Sequence, residues 1–444
     1  MRKKCFAAIL LIFLTATQAC CGTKLDSFTK LHAYLYKAEF SDIDYAAAKK
    51  WFETKKDPTA EGCSSIRNGN FYGRNYDWNF DDGASFYFRT PKRLMENGKN
   101  SFASHGVAGG IADLTQTAID SKTYDETLLQ YIPFRVLDGI NECGVVTSLN
   151  VTPLEPDIKG KTTETTPDVE VRDTMCAQML TRYILDNFAT SKEAAEYIRD
   201  YISVFIPKSM HEGSHELHIL IADENDTYLL EFVQNKNIVK KLVNGENSWI
   251  TNFYIDGVTF NSDGSVYTPA TKPQGKSLIN DFGITPNAAG LERYNIINAA
   301  KATSNTKAGM RALLEALYYT KFYKAINQQG NDNEDIWYSE LVGENSEIQM
   351  TVTVDTPIDT IKPYLHLVRE NFDARSRDTA TTWQTVTSSV YDIAQRKLYL
   401  VTQEGEHSGT ETEFSLNKTS SSGCNAGFGA LALLFALPLF RRKK

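Results

Sequence analysis

A cysteine at position 63 begins a segment with the pattern of a β-strand, and Arg74 and Asp77 follow it closely in the chain. A thiolate is a strong nucleophile, and a nearby cation lowers the pKa of its thiol. If Cys63 is the first residue of a matured chain, its own α-amine can accept the thiol proton. A hairpin would return Arg74 to the sulfur and Asp77 to the amine. The spacing therefore predicts an N-terminal cysteine nucleophile.

Three later segments carry polar side chains that suit the same chemistry. An Asp-Gly-Ile-Asn-Glu-Cys-Gly segment at 138–144 leads to Asn150, a Thr-Asn pair ends at Asn252, and Arg293 lies in a Gly-Leu-Glu-Arg-Tyr segment. An uncharged amide is a suitable donor to an oxyanion that develops only during the reaction. Each residue alone also has an ordinary structural interpretation. Asn150 and Asn252 would end strands, and Arg293 would be an exposed helix residue.

In this order, the segments resemble those of the choloylglycine hydrolase and penicillin V acylase family, whose members are N-terminal-nucleophile hydrolases that cut linear amides. The resemblance extends over roughly residues 63–405 and includes a terminal hairpin at 387–399. It implies an α+β fold, the four-layer αββα sandwich, for a domain at 63–410. The alternation of strands and paired helices fits two stacked sheets with helices outside, but does not single out this fold among α+β folds.

The resemblance also implies roles for individual residues. Asn252 and a donor at or near Asn150 would hold the oxyanion, and Arg293 would be the second cation of the site. Asparagine at position 150 favours the bile-salt hydrolases over the penicillin V acylases, which often carry tyrosine there. The implied reaction is hydrolysis of a non-peptide carbon–nitrogen bond in a small-molecule amide through a thioester, with no cofactor and no metal. Family members are often tetramers, so a homo-oligomer is a further possibility.

The chain departs from the family in two respects. The hairpin between Cys63 and Arg74 is shorter than in many members. Many members also expose their cysteine by losing the initiator methionine, whereas here a prosegment at 22–62 has to be cut off before Cys63 gains an α-amine. The sequence leaves open whether that cut is autocatalytic. Without it, the predicted mechanism fails.

Both ends of the chain resemble addressing segments. A basic start, an apolar run and small residues predict a secretory signal peptide at 1–21, with lipidation at Cys20 or Cys21 as an alternative. A Ser/Thr-rich spacer at 411–422 precedes a tail at 423–444 that has an apolar run and a basic terminus. The tail resembles bacterial sorting tails that are clipped at the membrane, and a simple tail anchor is the alternative. Either interpretation predicts a secreted or cell-envelope protein.

Composition and cysteine content bear on the partners of the protein and on its reactive groups. The net charge of −8 argues against nucleic acid as a partner, because no basic excess is present to neutralise phosphates. The body carries Cys63, Cys143 and Cys176, an odd number that suggests a free reactive thiol. Cys176 has helical spacing to Leu180 and is predicted to lie in the core. The sequence leaves open whether Cys143 and Cys176 form a disulfide.

Local patterns predict the elements that have to position these residues. Before Cys63 they predict a helical pattern over 25–62. From 63 to about 119 they predict β-structure with runs at 85–89 and 106–117, followed by a helix over 127–140, a strand over 145–151, a helix over 171–188 and a capping box at 190–193. The rest of the chain is predicted to form a hairpin of 215–223 and 227–234, helices over 287–303 and 306–320, and strands over 349–354, 385–392 and 397–402.

Two alternatives compete with the amide-hydrolase interpretation. His211, His215 and His218 cluster in the sequence, and a His-x3-His pair on a helix beside a glutamate is a zinc-binding pattern that would suit a zinc-dependent hydrolase. The intervening glycine and serine disfavour a helix, however, and the residues from 217 onward alternate as in a strand. The second alternative is a non-catalytic envelope binding protein. It suits the terminal segments equally well but leaves the ordered set of polar residues unexplained.

Overall fold

The computed structural model describes residues 22–54, 62–79, 84–95, 97–111, 113–153, 161–212, 215–233, 235–252, 254–255, 259–260, 266–267, 293–294, 297–298, 301–317, 383–404, 407–408 and 410–416. The predicted signal peptide at 1–21, the tail at 423–444 and the strand at 349–354 lie outside these residues, as does most of the helix at 287–303. No helix in the described part of the chain is long and apolar enough to cross a membrane.

The larger sheet has nine strands within the described residues. In spatial order they are β1 (Lys24–His32), β2 (Leu35–Asp42), β5 (Ser85–Thr90), β6 (Ser104–Ala108), β7 (Val136–Asn141), β8 (Val146–Pro153), β12 (His215–Ala222), β13 (Thr227–Val233) and β14 (Lys236–Leu242). The strands β2 and β5 are parallel, and the other neighbours are antiparallel. The segment that precedes Cys63 is therefore part of this sheet.

The smaller sheet has seven strands in the described ranges and contains Cys63. They are β15 (Trp249–Ile250), β3 (Gly62–Asn68), β4 (Phe71–Asn79), β18 (Trp383–Asp392), β19 (Lys397–Glu404) and β20 (His407–Ser408) in spatial order, with β21 (Thr412–Ser415) also paired to β19. Its central hairpin of β18 and β19 confirms the strands predicted at 385–392 and 397–402.

The two sheets pack face to face around one apolar core. Its buried side chains come from both sheets and include Val107, Ile140, Val146, Leu220, Tyr72, Ile250, Tyr391 and Leu400. Burial of this surface from both sides is what holds the two layers together, since apolar area removed from water is the main favourable contribution to folding.

Helices cover the two outer faces. The helices α3 (Leu180–Asn187) and α4 (Ser191–Tyr201) pack on the larger sheet, and α6 (Lys307–Ala316) packs on β4 and β18. Gly73 permits the close approach of α6, because a Cβ atom at this position would lie 2.6 Å from the sulfur of Met310. The order helix, sheet, sheet, helix confirms the predicted αββα sandwich.

The remaining elements belong to neither of the two large sheets. They are α1 (Tyr45–Thr54), α2 (Gln116–Ser121), α5 (Lys208–Glu212), the 3₁₀ helices Glu126–Phe134, Ala177–Met179 and Lys301–Thr303, the three-stranded sheet of β9 (Thr163–Glu164), β10 (Asp173–Cys176) and β11 (Ile202–Ile206), and the pair of β16 (Thr259–Phe260) and β17 (Val266–Tyr267).

Several predicted elements are confirmed where the local signal is specific. The strands β12 and β13 form the predicted hairpin around the turn at 224–226. The helix α4 begins at the predicted capping box, where the Thr190 hydroxyl accepts a hydrogen bond from the Glu193 backbone nitrogen at 3.1 Å. A side-chain cap of this kind fixes the start of a helix independently of what the helix packs against.

The helical texture predicted over 25–62 is wrong for the first half of that segment. The strands β1 and β2 come first, and the helical composition belongs to α1 alone. In β2, Tyr36, Ala38 and Phe40 alternate with polar residues and are buried in one core cluster. This period of two is the pattern of a half-buried strand.

Three further predictions are wrong, two of them because strand pairing outweighs a local helical pattern. The helix predicted over 127–140 is a 3₁₀ helix followed by β7, which pairs with β6 and β8. The helix predicted over 171–188 starts only with α3, because β10 first pairs in parallel with β11. The β-run predicted over 106–117 ends with β6, and α2 begins after the cap at Thr115.

Cys176 ends the strand β10 and is a buried cysteine that forms no disulfide. Its predicted place in the core is confirmed, although it lies in a strand and not in a helix. The disulfide that the sequence left open between Cys143 and Cys176 is therefore not formed.

Candidate active site

The hairpin of β3 and β4 brings Arg74 back to Cys63. In its register Cys63 lies opposite Tyr76, and Ser65 lies opposite Arg74. Residues two apart on a strand share a face, so the Cys63 and Arg74 side chains extend to the same side of the sheet. The Nη2 atom of Arg74 lies 3.4 Å from the Cys63 sulfur. Both side chains are buried, so the guanidinium is the cation beside the candidate nucleophile.

Arg293 contacts the main chain of Cys63. Its Nη1 atom donates to the Cys63 carbonyl oxygen at 2.6 Å and lies 3.4 Å from Oδ2 of Asp77. Its Nη2 atom donates to Oδ1 of Asn252 at 2.6 Å. One buried guanidinium therefore links the cysteine backbone, the aspartate and the asparagine that the sequence predicted for this site.

Asp77 lies beside the bond that would have to be cut. It pairs with Gly62 in the register of β3 and β4, and its Oδ1 atom accepts a hydrogen bond from the Thr385 hydroxyl at 2.6 Å. In this uncut chain the Cys63 nitrogen is an amide, and it donates to Oδ1 of Asn252 at 2.8 Å. The role predicted for Asp77, orientation of a free α-amine, therefore stays a prediction for the cut chain.

The hydrogen-bond partners of Asn252 fix the orientation of its amide. Oδ1 faces two donors, from Cys63 and Arg293, while Nδ2 donates to the carbonyl oxygen of Val151 at 2.7 Å. An amide nitrogen carries two hydrogens, so this contact leaves one for another acceptor. The arrangement places an oriented amide donor within the cluster around the candidate nucleophile, as an oxyanion hole requires.

Asn150 is buried near the same cluster, and its side chain is engaged with the protein. Its Oδ1 atom accepts a hydrogen bond from the Ser65 hydroxyl at 2.8 Å, and its Nδ2 atom approaches the carbonyl oxygens of Ile250 and Thr251 at 3.4 and 3.2 Å. These contacts tie β3 and β8 to the segment that ends at Asn252. In this structure Asn150 thus supports the position of Asn252, and the roles predicted for both residues at an oxyanion remain predictions.

His218 also holds this segment, in a role that the sequence analysis did not assign. Its Nε2 atom donates to the carbonyl oxygen of Thr251 at 2.8 Å, and its Nδ1 atom lies 3.5 Å from Oε1 of Glu231. A carbonyl oxygen only accepts hydrogen bonds, so Nε2 carries a proton. The contact is to the residue immediately before Asn252, so the buried imidazole helps to fix the position of that amide.

Burial and charge act in opposite directions on the thiol. Burial raises the pKa of Cys63 above its usual value, while Arg74 and Arg293 lower it and the Asp77 carboxylate raises it further. The net direction is upward, so the effect predicted for Arg74 is present but outweighed by loss of solvation. The thiol therefore keeps its proton at neutral pH in the uncut chain, and a base is needed to remove it.

Asp138 is a buried partner of Arg74 that the sequence analysis did not assign to the site. Its Oδ2 atom lies 3.4 Å from Nη1 of Arg74, and the Tyr391 hydroxyl donates to Oδ1. Burial raises the pKa of Asp138, and Arg74 lowers it. The acidic residue begins the Asp-Gly-Ile-Asn-Glu segment, so the motif itself was a signal for a structural partner of the site.

Replacement of Arg74 by methionine is expected to lower the free energy of unfolding by about 3 to 5 kcal/mol, because Asp138 then keeps a buried charge without its partner. The further change Asp138→Asn removes that charge and should recover part of the loss. Urea unfolding of the two single variants and the double variant at pH 7 measures this coupling. Costs that simply add, within about 0.5 kcal/mol, would show that the two side chains do not depend on each other.

Two histidines of the zinc alternative, His211 and His218, belong to different networks. The Nδ1 atom of His211 contacts the carbonyl oxygen of Lys161, and its Nε2 atom lies 3.7 Å from Oε1 of Glu216. His218 is hydrogen-bonded to Thr251, as described above. No three His, Cys, Asp or Glu side chains come together as a metal site within the described ranges. His211 and His218 therefore give this alternative no support, and the His215 side chain lies outside the described part of the structure.

Comparison with solved structures finds two variants of the conjugated bile acid hydrolase from Clostridium perfringens, each 14% identical to this chain, with TM-scores of 0.36 and 0.37 and coverage of 81% of this chain and 98% of the other. Penicillin V acylase from Agrobacterium tumefaciens is 14% identical, with a TM-score of 0.32 and coverage of 82% and 88%. No family model and no curated protein matches the chain. Likeness at this level does not assign an activity, so the function has to be argued from the geometry around Cys63.

Proposed function

We propose that this chain is a hydrolase of linear carbon–nitrogen amide bonds, of the choloylglycine hydrolase and penicillin V acylase kind, with Cys63 as an N-terminal nucleophile. Cutting the bond between Gly62 and Cys63 turns the Cys63 amide nitrogen into an α-amine. That amine accepts the thiol proton, which a buried thiol with a raised pKa would otherwise keep. The base is thus created by the cut itself.

The reaction then proceeds through a thioester. The sulfur adds to the carbonyl carbon of the substrate amide, and the amide Nδ2 of Asn252 donates to the oxyanion. The carbon–nitrogen bond breaks, and the leaving amine takes the proton held by the Cys63 α-amine. Water then hydrolyses the thioester and restores the thiol. Arg74 stabilises negative charge on the sulfur, and Asp77 orients the α-amine.

The same nucleophile accounts for the cut. The Cys63 sulfur adds to the carbonyl carbon of Gly62, and the peptide bond to the Cys63 nitrogen breaks as the thiol proton passes directly to that nitrogen, so this one-time step takes place without the α-amine as base. One water molecule then hydrolyses the Gly62 thioester, leaving a carboxylate on Gly62 and a free thiol on Cys63. This sequence consumes only water, so no other enzyme is needed.

The observation that carries this proposal is the convergence of Cys63 with Arg74, Asp77, Asn252 and Arg293. These residues come from separate parts of the chain, and all of them are buried. Burying two guanidinium and carboxylate pairs is costly unless the charges are closely matched, and an apolar core would be simpler to build. Charged groups assembled around a free thiol are better explained by chemistry at that thiol.

The sequence features at the ends of the chain support a place for this activity outside the cytoplasm. A signal peptide at 1–21 and a tail at 423–444 would deliver the enzyme to the cell envelope, where the tail contacts the membrane before or instead of being clipped. We further propose that bile-salt conjugates and phenoxyacetyl amides are the first substrates to test, because both enzyme types that the motifs resemble cut small amides.

N-terminal sequencing and intact-mass analysis of the purified protein test this proposal. We expect the catalytic chain to begin at Cys63. In a Cys63→Ala variant the bond after Gly62 should stay intact, which would identify the cut as autocatalytic. An active wild-type protein whose residues 22–63 form one uninterrupted chain would refute the proposal, because its Cys63 nitrogen would still be an amide.

A further inference from the structure

The segment before the cut is built into the sandwich. Of residues 22–54, β1 and β2 form the edge of the larger sheet, and β2 pairs in parallel with β5 over Leu35–Glu39 and Ser85–Arg89. The backbone nitrogen of Ser85 also donates to the Tyr34 carbonyl oxygen at 2.8 Å. If the segment left, β5 would become an open edge with unpaired backbone groups, which is a hazard for aggregation.

The segment also fills both apolar cores. Leu35 lies in the core between the two sheets. The core on the outer face of the larger sheet includes six more of its side chains, namely Tyr36, Ala38, Phe40, Ile43, Ala48 and Phe52. None of these is more than 8% exposed. If the segment left, the apolar side chains after position 62 that pack against it would be exposed to water. The free energy lost would be proportional to the apolar area uncovered.

A buried polar cluster depends on the same segment. The Tyr45 hydroxyl at the start of α1 donates to Oδ2 of Asp186 at 2.6 Å. Asp186 is fully buried and also accepts from Arg93 and Arg182. Without Tyr45, this group of charges would lose a donor and its cover. A half-satisfied buried network is costly, so the contact favours retention of α1.

The segment contacts the smaller sheet as well. The His32 ring nitrogen Nε2 and the Thr412 hydroxyl lie 2.8 Å apart, which joins the end of β1 to β21. Leu31 packs against the core between the sheets. The segment therefore bridges the two layers at one edge, as an integral part of a fold does and a removable cover does not.

We propose that residues 22–54 stay bound after the Gly62–Cys63 bond is cut, so that the mature protein consists of two chains. The smaller chain supplies two strands and one helix to the body that begins at Cys63. The cut belongs to the proposed function, but retention of the smaller chain rests on the contacts described here. The segment is thus cut from the rest of the chain but is not discarded.

The test separates retention from self-cleavage. A recognition site for a sequence-specific protease is placed between Thr54 and Gly62 in the Cys63→Ala variant, and the purified full chain is cut there. Size-exclusion chromatography under native conditions is followed by mass analysis of the peak. We expect both pieces in equal amounts in one peak, and separate elution only in denaturant. Elution of the larger piece alone as a folded monomer would overturn the proposal, whether or not wild-type Cys63 cuts itself.

Two neighbouring residues on α1 give a matched comparison in the same cut protein. Phe52 is buried, whereas Glu53 is exposed. Phe52→Ala is expected to weaken retention of the smaller chain about 100-fold or more, as for other truncated core phenylalanines, and Glu53→Ala should leave retention unchanged. If Phe52→Ala prevents folding, chromatography of the cut parent protein still decides. Equal retention in both variants, with the fold intact, would contradict anchoring through the core.

Discussion

Replacement of Cys63 by alanine is expected to reduce amide hydrolysis to the background rate, a loss of about 10⁶-fold in kcat on the scale seen when a covalent nucleophile is removed. The sulfur is the atom that would form the thioester, and Arg74 lies 3.4 Å from it. In the described part of the chain the other cysteine outside a disulfide, Cys176, does not lie in this cluster, since it belongs to the core on the far face of the larger sheet. Turnover of a bile-salt conjugate or a phenoxyacetyl amide measures the effect.

Cys176→Ala is the matched control, because among the described residues Cys176 is the other buried cysteine that forms no disulfide. It should retain turnover and the chain start at Cys63, with at most a loss of stability from the small cavity. Circular dichroism of both variants checks that the fold is kept. If Cys63→Ala retains substantial turnover while Cys176→Ala does so too, the enzyme does not use a cysteine of this site, and the binding-protein and metal alternatives have to be reopened.

The layered fold was predictable because two kinds of signal agreed. Alternation and turn residues identify strands such as β12 and β13, and a side-chain cap identifies the start of α4. Two of the failures share one cause. The residues of β7 and β10 have a local pattern that suits a helix, but hydrogen bonds to strands far away in the sequence decide their conformation. A local pattern contains no information on those distant partners.

The misassigned strands β1 and β2 show a related limit with a larger consequence. Their position before the nucleophile suggested a prosegment, and the helical composition of α1 suggested helical structure over 25–62. The alternation of Tyr36, Ala38 and Phe40 was available in the sequence as a sign of a half-buried strand. What it could not reveal is the parallel pairing with β5, which makes the segment part of the main sheet.

The candidate site was predictable mainly through residue order and resemblance. The structure brings Cys63, Arg74, Asp77, Asn252 and Arg293 into contact with one another. The side chains that support these residues could be identified only from contacts in the structure. Thr385 lies 308 residues from Asp77 in the chain, and Tyr391 lies 253 residues from Asp138. Such pairs carry no local pattern. Thr385 meets Asp77 only when β18 pairs with β4 in the smaller sheet, and Tyr391 meets Asp138 only when the two sheets pack together.

The sequence alone also could not show whether burial or the nearby charges have the larger effect on the pKa of the Cys63 thiol. Arg74 was predicted to lower the pKa of Cys63, and its charge does act in that direction. The extent of burial, which acts against it, depends on the whole sandwich closing over the hairpin. This balance strengthens the case for a base created by the cut, since a thiol that was already ionised would not need one.

Asn252→Ala is expected to lower kcat about 100- to 1000-fold with a much smaller change in KM, as removal of one oxyanion donor typically does. The reason is that the amide donates to charge that develops only in the transition state. The side chain has a second role, however, because its Oδ1 atom accepts hydrogen bonds from Cys63 and Arg293. The alanine variant removes both roles, so it cannot assign the loss to the donor alone.

The variant Asn252→Asp separates the two roles. It keeps an oxygen for the Cys63 nitrogen and for Arg293, but it has no Nδ2 donor and places a negative charge near the oxyanion. If donation matters, Asn252→Asp should be at least as slow as Asn252→Ala, and intact mass should show that both chains begin at Cys63. If Asn252→Asp keeps near-wild-type turnover, Asn252 only positions the nucleophile, and the oxyanion must be held by another group. His218 and Asn150 hold the segment before Asn252, so a main-chain donor there would be the next to examine.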